Sequence, residues 1–353
     1  MELDQNKRAF FDLVKAGLWE LDVLLAPIGQ IDFNEVYRLA EEQSVVGLVA
    51  AGIEHVTDVK VPQEAALTFV GTALQLEQRN RAMNRFISIY VESMRDKGIY
   101  TLLVKGQGLA QCYNRPLWRS CGDVDFFFSR EDYSKAVTFF SNQNKAKVVQ
   151  NARYTKSYGI VIDNWMVELH GTLRNCLSSK MDRVIDEVQD DLFYGGNVRS
   201  WTNGKTQVFL PGVDNDVFLV FTHFVRHLYK EGVCLRQMCD WCRLLWSFRD
   251  KVDNKLLESR IKRAGLMAEW KSFAALAVDT LGMPTEYMPL YDDDKKWHNK
   301  GEEIMKFIIE GRKGNTIKDT LWLARLFPLN TLLFFPGLFF FVNGMKIKEK
   351  LFK

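Results

Sequence analysis

Two aspartates, Asp123 and Asp125, stand two residues apart at the start of the apolar segment DVDFFF. If this segment is a β-strand, side chains at i and i+2 project from the same face, so both carboxylates point the same way. Two carboxylates held close together raise each other's pKa and cost stability unless a cation lies between them. Because Mg²⁺ prefers hard oxygen ligands, the pair predicts half of a magnesium site, although the same pattern also occurs by chance on exposed strand edges.

A third carboxylate, Glu168, lies in the later segment MVELHGTL, where His170 follows it two residues further on. On a strand both side chains would project from one face, between apolar residues that point the other way. An acid at this position could complete a two-metal site or accept the proton of an attacking hydroxyl group.

The turn Lys105-Gly106-Gln107-Gly108 directly follows the apolar and β-branched run from 99 to 104 and precedes a predicted helix. Glycines let backbone amides approach an anion, and a helix N-terminus favours negative charge. The turn therefore suits phosphate binding, although an ordinary tight turn explains the glycines equally well.

Two polar pairs with a spacing of four occur further along the chain, His223 with His227 and Arg236 with Asp240. On a helix this spacing places both members of a pair on one face. The histidines could chelate zinc, but the segment HFVRH lacks the glutamate of the metalloprotease motif. Arg236 and Asp240 could form an ion pair, and all four residues also fit the lining of a substrate cleft.

Three of the six cysteines, Cys234, Cys239 and Cys242, have the C-x4-C-x2-C spacing of plant-type iron–sulfur proteins. That cluster needs a fourth thiolate downstream, and no cysteine follows Cys242 in the sequence. The apolar residues around them recur at helical spacing. We therefore predict structural thiols buried on a helix, and neither an iron–sulfur cluster nor a zinc site.

The elements that would position these residues fall into three parts, which we predict as subdomains at 1–97, 98–210 and 211–353. Apolar residues recur at helical spacing in the first and third parts. The middle part alternates short apolar strands with helices and contains a hairpin turn at Asp163-Asn164. We therefore expect an α+β fold, in which a small mixed sheet with flanking helices lies between N-terminal and C-terminal helical subdomains.

Three local signals add detail to this outline. The segment LAQCYNRPLWR predicts a helix over 109–119, directly after the glycine turn. Ser129 is a candidate N-cap for the helix that follows DVDFFF. The acidic run Asp292-Asp293-Asp294 predicts a solvated loop and not a metal site.

Composition limits the partners of this chain of 353 residues. Its formal net charge of +3 is small for this length and argues against a nucleic-acid partner, so local groups would have to recognise a charged substrate. The first residues, MELDQNKRAFFDL, lack the pattern of a signal peptide, and the sparse cysteines suit a reducing compartment. We therefore expect a cytoplasmic protein.

The stretch from 321 to 342 is mostly apolar, and its length approaches that of a membrane span. Arg325 and two prolines, Pro328 and Pro336, interrupt it. We therefore expect this tail to pack on the domain or to contact a partner. The basic end KIKEKLFK keeps open a peripheral contact with a membrane through residues 321–353.

Taken in order, these motifs resemble the uncharacterised nucleotidyltransferase family of the DNA polymerase β superfamily, whose members are often encoded near bacterial capsule and exopolysaccharide genes. The matching segments are LLVKGQGLAQCYNRPLWRSCGDVDFFF and MVELHGTL, and HFVRHLYKEGVCLRQMCDWCRLL is a looser match. The resemblance covers most of the chain. It departs from the wider superfamily at one point, because Lys105-Gly106-Gln107 stands where Gly-Ser is usual.

The resemblance implies an enzyme that transfers a nucleoside monophosphate from a nucleoside triphosphate to an unknown acceptor and releases pyrophosphate. Asp123 and Asp125 would bind two Mg²⁺ ions, with Glu168 as the third acid, and these three residues would be catalytic. The acceptor would be a small molecule, a sugar or a protein, with a link to bacterial surface polysaccharide biosynthesis.

The resemblance also implies the contacts with substrate. Lys105, Gly106 and Gln107 would hold the triphosphate, and Arg119 would offset phosphate charge. Polar side chains from several elements would line the cleft: Tyr113, His170, His223, His227, Arg236 and Asp240.

Two other functions stay open for the same fold. The chain could be a non-catalytic or regulatory partner in polysaccharide assembly, a reading that the apolar tail motivates. It could also be a toxin–antitoxin component that acts on RNA or protein. Intact acids at all three positions favour the enzyme, because a decayed site usually loses one of them.

Overall fold

The computed structural model describes residues 4–143, 146–152, 156–312 and 316–335. Within these residues the chain has fourteen α-helices, a five-stranded mixed sheet and a separate two-stranded sheet, so the α+β class is confirmed. The helices are α1 Gln5–Trp19, α2 Phe33–Glu42, α3 Val46–Glu54, α4 Gln63–Arg95, α5 Gly106–Ala110, α6 Asp132–Ser141, α7 Ser179–Phe193, α8 Val213–Lys230, α9 Leu235–Ser247, α10 Asn254–Ala264, α11 Met267–Leu281, α12 Lys295–Ile309, α13 Ile317–Leu326 and α14 Pro328–Phe334.

The sheets are built from seven strands: β1 Thr101–Val104, β2 Asp123–Phe128, β3 Lys147–Ala152, β4 Ser157–Ile162, β5 Trp165–His170, β6 Val198–Asn203 and β7 Thr206–Pro211. The main sheet has the order β1-β2-β5-β4-β3, and β6 pairs with β7. β2 and β5 are parallel neighbours, whereas the other adjacent pairs of the main sheet are antiparallel. The parallel register places Asp125 directly beside Glu168.

Apolar side chains cover both faces of β2, which explains why DVDFFF is almost continuously apolar. Val124, Phe126 and Phe128 pack with apolar residues of α4 and α6 in one core cluster. Phe127 points to the opposite face and belongs to the larger cluster formed with the other helices. Because Asp125 shares the face of Phe127, it lies between the sheet and the helical part of the molecule.

Helices from the beginning and the end of the chain share one hydrophobic core. The Trp19 indole Nε1 donates to the Leu281 carbonyl oxygen (2.5 Å), and Arg243 Nη1 donates to that of Leu18 (2.9 Å). These bonds join α1 to α9 and α11. The parts that we predicted as N-terminal and C-terminal subdomains therefore pack on each other, and the boundaries after 97 and 210 stay predictions.

Of two local predictions in the main sheet and its helices, the hairpin turn is confirmed and the N-cap is corrected by two residues. Asp163 and Asn164 form the turn between β4 and β5, with the positive φ angles (49° and 69°) that a tight hairpin requires. Ser129 Oγ accepts a hydrogen bond from Asp132 N (3.1 Å) at the start of α6, although Glu131 occupies the N-cap position. The turn therefore follows from its residue types, whereas Ser129 contacts the first turn of α6 from a position before the N-cap.

The helix predicted over 109–119 is wrong. The helix α5 ends at Ala110, and only a 3₁₀ turn, Pro116–Trp118, follows before β2. Pro116 lacks an N–H for a helical hydrogen bond, and its ring disfavours the helical conformation at Arg115, which has φ −119° and ψ 76°. The segment is therefore mostly a loop that leads into the strand with the aspartates.

The three cysteines at 234, 239 and 242 and the acidic run at 292–294 lie in or directly before helices of the described chain. Cys239 and Cys242 are buried thiols on α9, as predicted, while Cys234 precedes the first turn of α9 and is partly exposed. In the acidic run, Asp294 caps α12 by accepting a hydrogen bond from Lys296 N (2.9 Å).

The described part of the apolar tail packs on the helical core. We had expected the tail either to pack on the domain or to contact a partner, and these residues follow the first alternative. In α14, Thr331 is fully buried and Asn330 donates to Glu269 Oε1 (2.7 Å). The Phe334 ring lies 4.7 Å from that of Tyr229, measured between centroids. No helix in the described ranges is long and apolar enough to cross a membrane. The basic end KIKEKLFK lies outside the described residues, and a peripheral membrane contact stays a prediction.

A glycine at position 17 lets α1 and α3 approach closely, since a Cβ there would lie 1.9 Å from the carbonyl oxygen of Leu48. Gly17→Ala would force these helices apart, and we expect the free energy of unfolding to fall by about 1–3 kcal/mol. Gly71→Ala is the matched control, because Gly71 lies in α4 with no neighbouring group within 4 Å of its Cβ position. There we expect a gain of about 0.5–1 kcal/mol from helix propensity. Urea denaturation measures both changes, and equal stability of the two variants would contradict the close packing.

Candidate active site

Three carboxylates share the face of the sheet that looks towards the helices. Asp123 and Asp125 alternate along β2, and the register pairs Asp125 with Glu168 on β5. Side chains of residues that are paired in neighbouring strands lie on the same face. The structure thus brings together the three acids that sequence spacing had selected.

Lys105 reaches these carboxylates from the turn between β1 and α5. Its backbone has φ 57° and ψ −146°, a conformation that glycine tolerates and that residues with a side chain rarely adopt. The Nζ atom lies 2.9 Å from Asp125 Oδ1. A strained turn therefore places a cation beside the acids.

Asp125 is the most enclosed of the three acids, with 2% of its surface exposed. Burial by itself would raise its pKa, but the charge of Lys105 and a hydrogen bond from His170 outweigh that effect and hold the pKa below its usual range. His170 Nε2 lies 2.7 Å from Asp125 Oδ1, the same oxygen that Lys105 contacts. Asp125 is therefore ionised at neutral pH.

The surroundings of Asp123 raise its pKa, whereas those of Asp125 lower the pKa of that carboxyl. The charge of Asp125 raises the pKa of Asp123 to about 6, and burial adds to the rise. Lys105 and Arg236 offset part of this increase. The charge of Asp125 and burial therefore outweigh the two cations at Asp123, and a bound divalent cation would favour its ionised form.

The donor atoms at the acids fit a divalent cation. An oxygen of Asp125, an oxygen of Glu168 and a ring nitrogen of His170 all lie within 4.8 Å of one another. No other group of three such residues is found in the described part of the chain. Carboxylate oxygens are the donors that Mg²⁺ prefers. His170, which we predicted only as lining of the cleft, also orients Asp125 through its hydrogen bond.

The acids lie in a cavity of about 540 Å³, a size typical of small-molecule sites. The sheet, the Lys105 turn and the helices α8 and α9 form its walls. All but two of the predicted site residues line it: Lys105, Gly106, Arg119, Asp123, Asp125, Glu168, His170, His223, His227, Arg236 and Asp240. The two that lie outside its walls are Gln107 and Tyr113.

Arg119 is held in a buried ion pair. Its Nε and Nη2 donate to the two carboxylate oxygens of Asp240 (2.8 and 2.6 Å), and its Nη1 donates to Ser120 O (3.0 Å). Tyr113 OH donates to the same carboxylate (2.8 Å). The phosphate contact that we predicted for Arg119 would have to break this bidentate pair. Asp240 thus pairs with a residue 121 positions away and not with Arg236, which stands four residues before it.

Gln107 points away from the cavity. Its side chain is buried, and its Nε2 donates to Asn80 Oδ1 on α4 (2.7 Å). Asn80 in turn donates to the carbonyl oxygens of Leu117 and Arg119 (2.7 and 2.8 Å). The two amides therefore fix the loop before β2. We missed Asn80 in the sequence, where its signal is a polar side chain among the apolar positions of a long helix.

Arg236 lines the cavity without a carboxylate partner among the described residues. Its Nη1 donates to Ser120 O (3.2 Å), and its buried Nε has no hydrogen-bond partner among the described residues. The acid on its own helix, Asp240, is already paired with Arg119. The charge of Arg236 lowers the pKa of Asp123, so this guanidinium acts on the acid site.

His223 and His227 both lie on the cavity side of α8, as their spacing predicted. Their Nε2 atoms are 3.1 Å apart, and His227 Nδ1 lies 3.2 Å from Glu231 Oε2. Burial lowers the pKa of both rings below the usual range. Both imidazoles are therefore neutral at pH 7.

The repulsion between Asp123 and Asp125 can be measured in metal-free buffer. Folding raises the pKa of Asp123 from its ordinary value of 3.8 to about 6, so ionisation of this group lowers stability as the pH rises through that interval. We expect Asp123→Asn to raise the free energy of unfolding at pH 7.5 by about 1–3 kcal/mol. The gain should disappear at about pH 3, where the Asp123 carboxyl of the unchanged protein is protonated in both the folded and the unfolded state.

Urea unfolding in the presence of EDTA at the two pH values measures this difference. Asp293→Asn is the control, because the side chain of Asp293 is 87% exposed in a loop and its replacement should change little at either pH. A gain for Asp123→Asn that persists at low pH would show that its charge is not the cause.

A family model described as an uncharacterised nucleotidyltransferase matches residues 29–282, which is more than two thirds of the chain. No curated protein gives a significant match. The matched span contains both strands with the acids, the Lys105 turn and the helices α8 and α9, so it includes every wall of the cavity. On this match the chain belongs to the uncharacterised nucleotidyltransferase family, as its motifs indicated.

Proposed function

We propose that this protein transfers a nucleoside monophosphate from a nucleoside triphosphate to an acceptor and releases pyrophosphate. The observation that carries the proposal is the group of Asp123, Asp125 and Glu168 on two adjacent strands. These acids face one cavity together with the cations Lys105 and Arg236. Such chemistry needs acids that bind metal ions and cations that offset phosphate charge, and both are present.

The carboxylates fit two Mg²⁺ ions, with Asp123 and Asp125 as ligands and Glu168 as the third acid. All three supply hard oxygen donors. The raised pKa of Asp123 marks a carboxylate whose charge the surrounding residues do not balance. Bound Mg²⁺ would withdraw charge from the phosphate oxygens and make the acceptor hydroxyl more acidic.

Lys105 and Gly106 are suited to hold the triphosphate. The Lys105 ammonium lies 2.9 Å from Asp125, so a phosphate oxygen in the cavity competes with that carboxylate for the same cation. Gly106 has a φ of 38°, and a Cβ there would lie 3.2 Å from Cys121 Sγ, so the missing side chain keeps the turn tight. The turn is therefore preorganised for an anion before the substrate arrives.

We assign the arginine contact with phosphate to Arg236 and not to Arg119. Arg236 lines the cavity and forms no ion pair with a described carboxylate, whereas the hydrogen bonds of Arg119 already involve all three of its side-chain nitrogens. Arg119 would act indirectly, because the Ser120 carbonyl oxygen accepts from Nη1 of both arginines. In this arrangement Arg119 positions the loop before β2, and Arg236 contacts the phosphate groups of the substrate.

The reaction also needs a group that receives the proton of the acceptor. Glu168 is suited to this role, because its side chain is 32% exposed in the cavity and that of Asp125 only 2%. The acceptor oxygen would attack the α-phosphorus in line, the bond to pyrophosphate would break, and the proton would pass to Glu168. The acceptor class (a small molecule, a sugar or a protein) and the link to surface polysaccharide rest on the family resemblance.

Loss of both aspartates should abolish nucleotide binding. In a thermal-shift panel of nucleoside triphosphates we expect at least one to raise Tm only with Mg²⁺, because a ligand that binds the folded state stabilises it. Asp123→Ala/Asp125→Ala should lose this shift, since it removes two of the carboxylates that would hold Mg²⁺. Asp293→Ala, with its exposed side chain, is the control and should retain the shift.

A full Mg²⁺-dependent shift in the double variant would contradict the proposed metal site. If the native protein responded to no nucleotide and truncation of the tail abolished association with a partner, the non-catalytic alternative would be favoured instead.

Arg236→Gln should weaken triphosphate binding about 10- to 100-fold, since a hydrogen bond to a charged group contributes about 1.5–3 kcal/mol. Binding of the free nucleoside should change much less, because the lost contact is to phosphate. Arg249→Gln, at an exposed position after α9, is the matched control. Calorimetric titration with the triphosphate and with the nucleoside separates the two effects, and equal weakening of both ligands would exclude the assignment.

A further inference from the structure

The proposed transfer reaction assigns no role to the histidine pair on α8, although the two rings are held in a defined arrangement. His223 and His227 present their Nε2 atoms to each other at 3.1 Å, while their ring centroids are 4.5 Å apart. The planes of the two rings are inclined by 78°. The two Nε2 atoms are close enough to share a hydrogen bond or, with both lone pairs free, to contact one common atom.

Glu231 fixes the orientation of His227. Its Oε2 lies 3.2 Å from His227 Nδ1, and Arg226 Nη2 holds the other carboxylate oxygen (2.7 Å). A proton on Nδ1 of His227 leaves its Nε2 with a lone pair that faces His223. A carboxylate behind an imidazole is the arrangement that orients metal-bound histidines in proteins.

We propose that His223 and His227 bind a divalent transition-metal cation such as Zn²⁺, at a site separate from the carboxylates of β2 and β5. Imidazole nitrogens suit Zn²⁺, whereas Mg²⁺ prefers oxygen. With metal–nitrogen distances of about 2.0–2.1 Å, the 3.1 Å span gives an angle of about 98° at the metal, between octahedral and tetrahedral values. The pair is therefore already spaced for a cation.

Two histidines leave coordination positions open. In the described part of the chain no third histidine, cysteine or carboxylate joins them at ligand distance. Both rings line the same cavity as Asp125 and Glu168, so water or an oxygen of a bound substrate would complete the coordination. Burial keeps both rings neutral, which is the form that binds metal. When the cation is bound through Nε2, neutral His223 carries its proton on Nδ1. Because both rings are already neutral, binding of the cation releases no proton.

Titration of the full-length protein with Zn²⁺ against a chromophoric chelator tests this site without any nucleotide. In His223→Gln and in His227→Gln we expect one equivalent of Zn²⁺ to be lost or to bind at least about tenfold more weakly. His298→Gln is the matched control, because His298 lies outside the cavity and contacts an aspartate on another helix. Glu231→Gln keeps both ligands and should weaken binding about tenfold.

Asp125→Asn separates this inference from the proposed function. It should abolish Mg²⁺-dependent nucleotide binding and leave the histidine-bound Zn²⁺ in place. The inference is overturned if the native protein binds no Zn²⁺, if binding survives both histidine changes, or if Asp125→Asn removes all of it. Thermal unfolding without metal identifies any variant that fails to fold. If a histidine variant fails to fold, the Zn²⁺ affinity of Glu231→Gln, which keeps both histidine ligands, tests the site instead.

Discussion

Repulsion between carboxylates on β2 and β5 is the constraint on which the rest of the site depends. The parallel register places Asp125 beside Glu168, and Asp123 stands two residues earlier on the same face. Burial strengthens this repulsion, because little water remains to screen it. Lys105 and His170 both contact one oxygen of Asp125 and offset part of the charge. The strained backbone of Lys105 lowers the stability of the fold, but it holds an ammonium group beside the carboxylate of Asp125.

A second charge network holds the loop that completes the cavity. Arg119 reaches from the loop before β2 to Asp240 on α9, and Tyr113 shares that carboxylate. Both charged groups are buried, so either one would be costly to leave unpaired. The pair ties the sheet to the helical core and fixes Ser120, whose carbonyl oxygen also anchors Arg236. The two arginines therefore differ in their contacts, because Arg119 forms an ion pair with Asp240 and Arg236 does not.

The walls of the cavity differ in the metals that they suit. The sheet offers carboxylate oxygens, which bind hard cations, and α8 offers imidazole nitrogens, which bind borderline transition metals. Lys105 couples the two walls, since its charge stabilises the ionised form of Asp125 and helps to keep both histidine rings neutral. One lysine on a strained turn therefore influences the pKa of both aspartates and of both histidines on α8.

The sequence by itself determined what depends on local periodicity and backbone chemistry. A period of two placed Asp123 and Asp125 on one face, helical spacing placed the histidine pair on one side of α8, and an Asp-Asn pair signalled the hairpin. Only the tertiary structure decided which groups pair with one another. Arg119 meets Asp240 across 121 residues, and Gln107 turns from the cavity towards a buried asparagine. The partner of a buried polar group depends on how distant elements pack, and no local pattern records that packing.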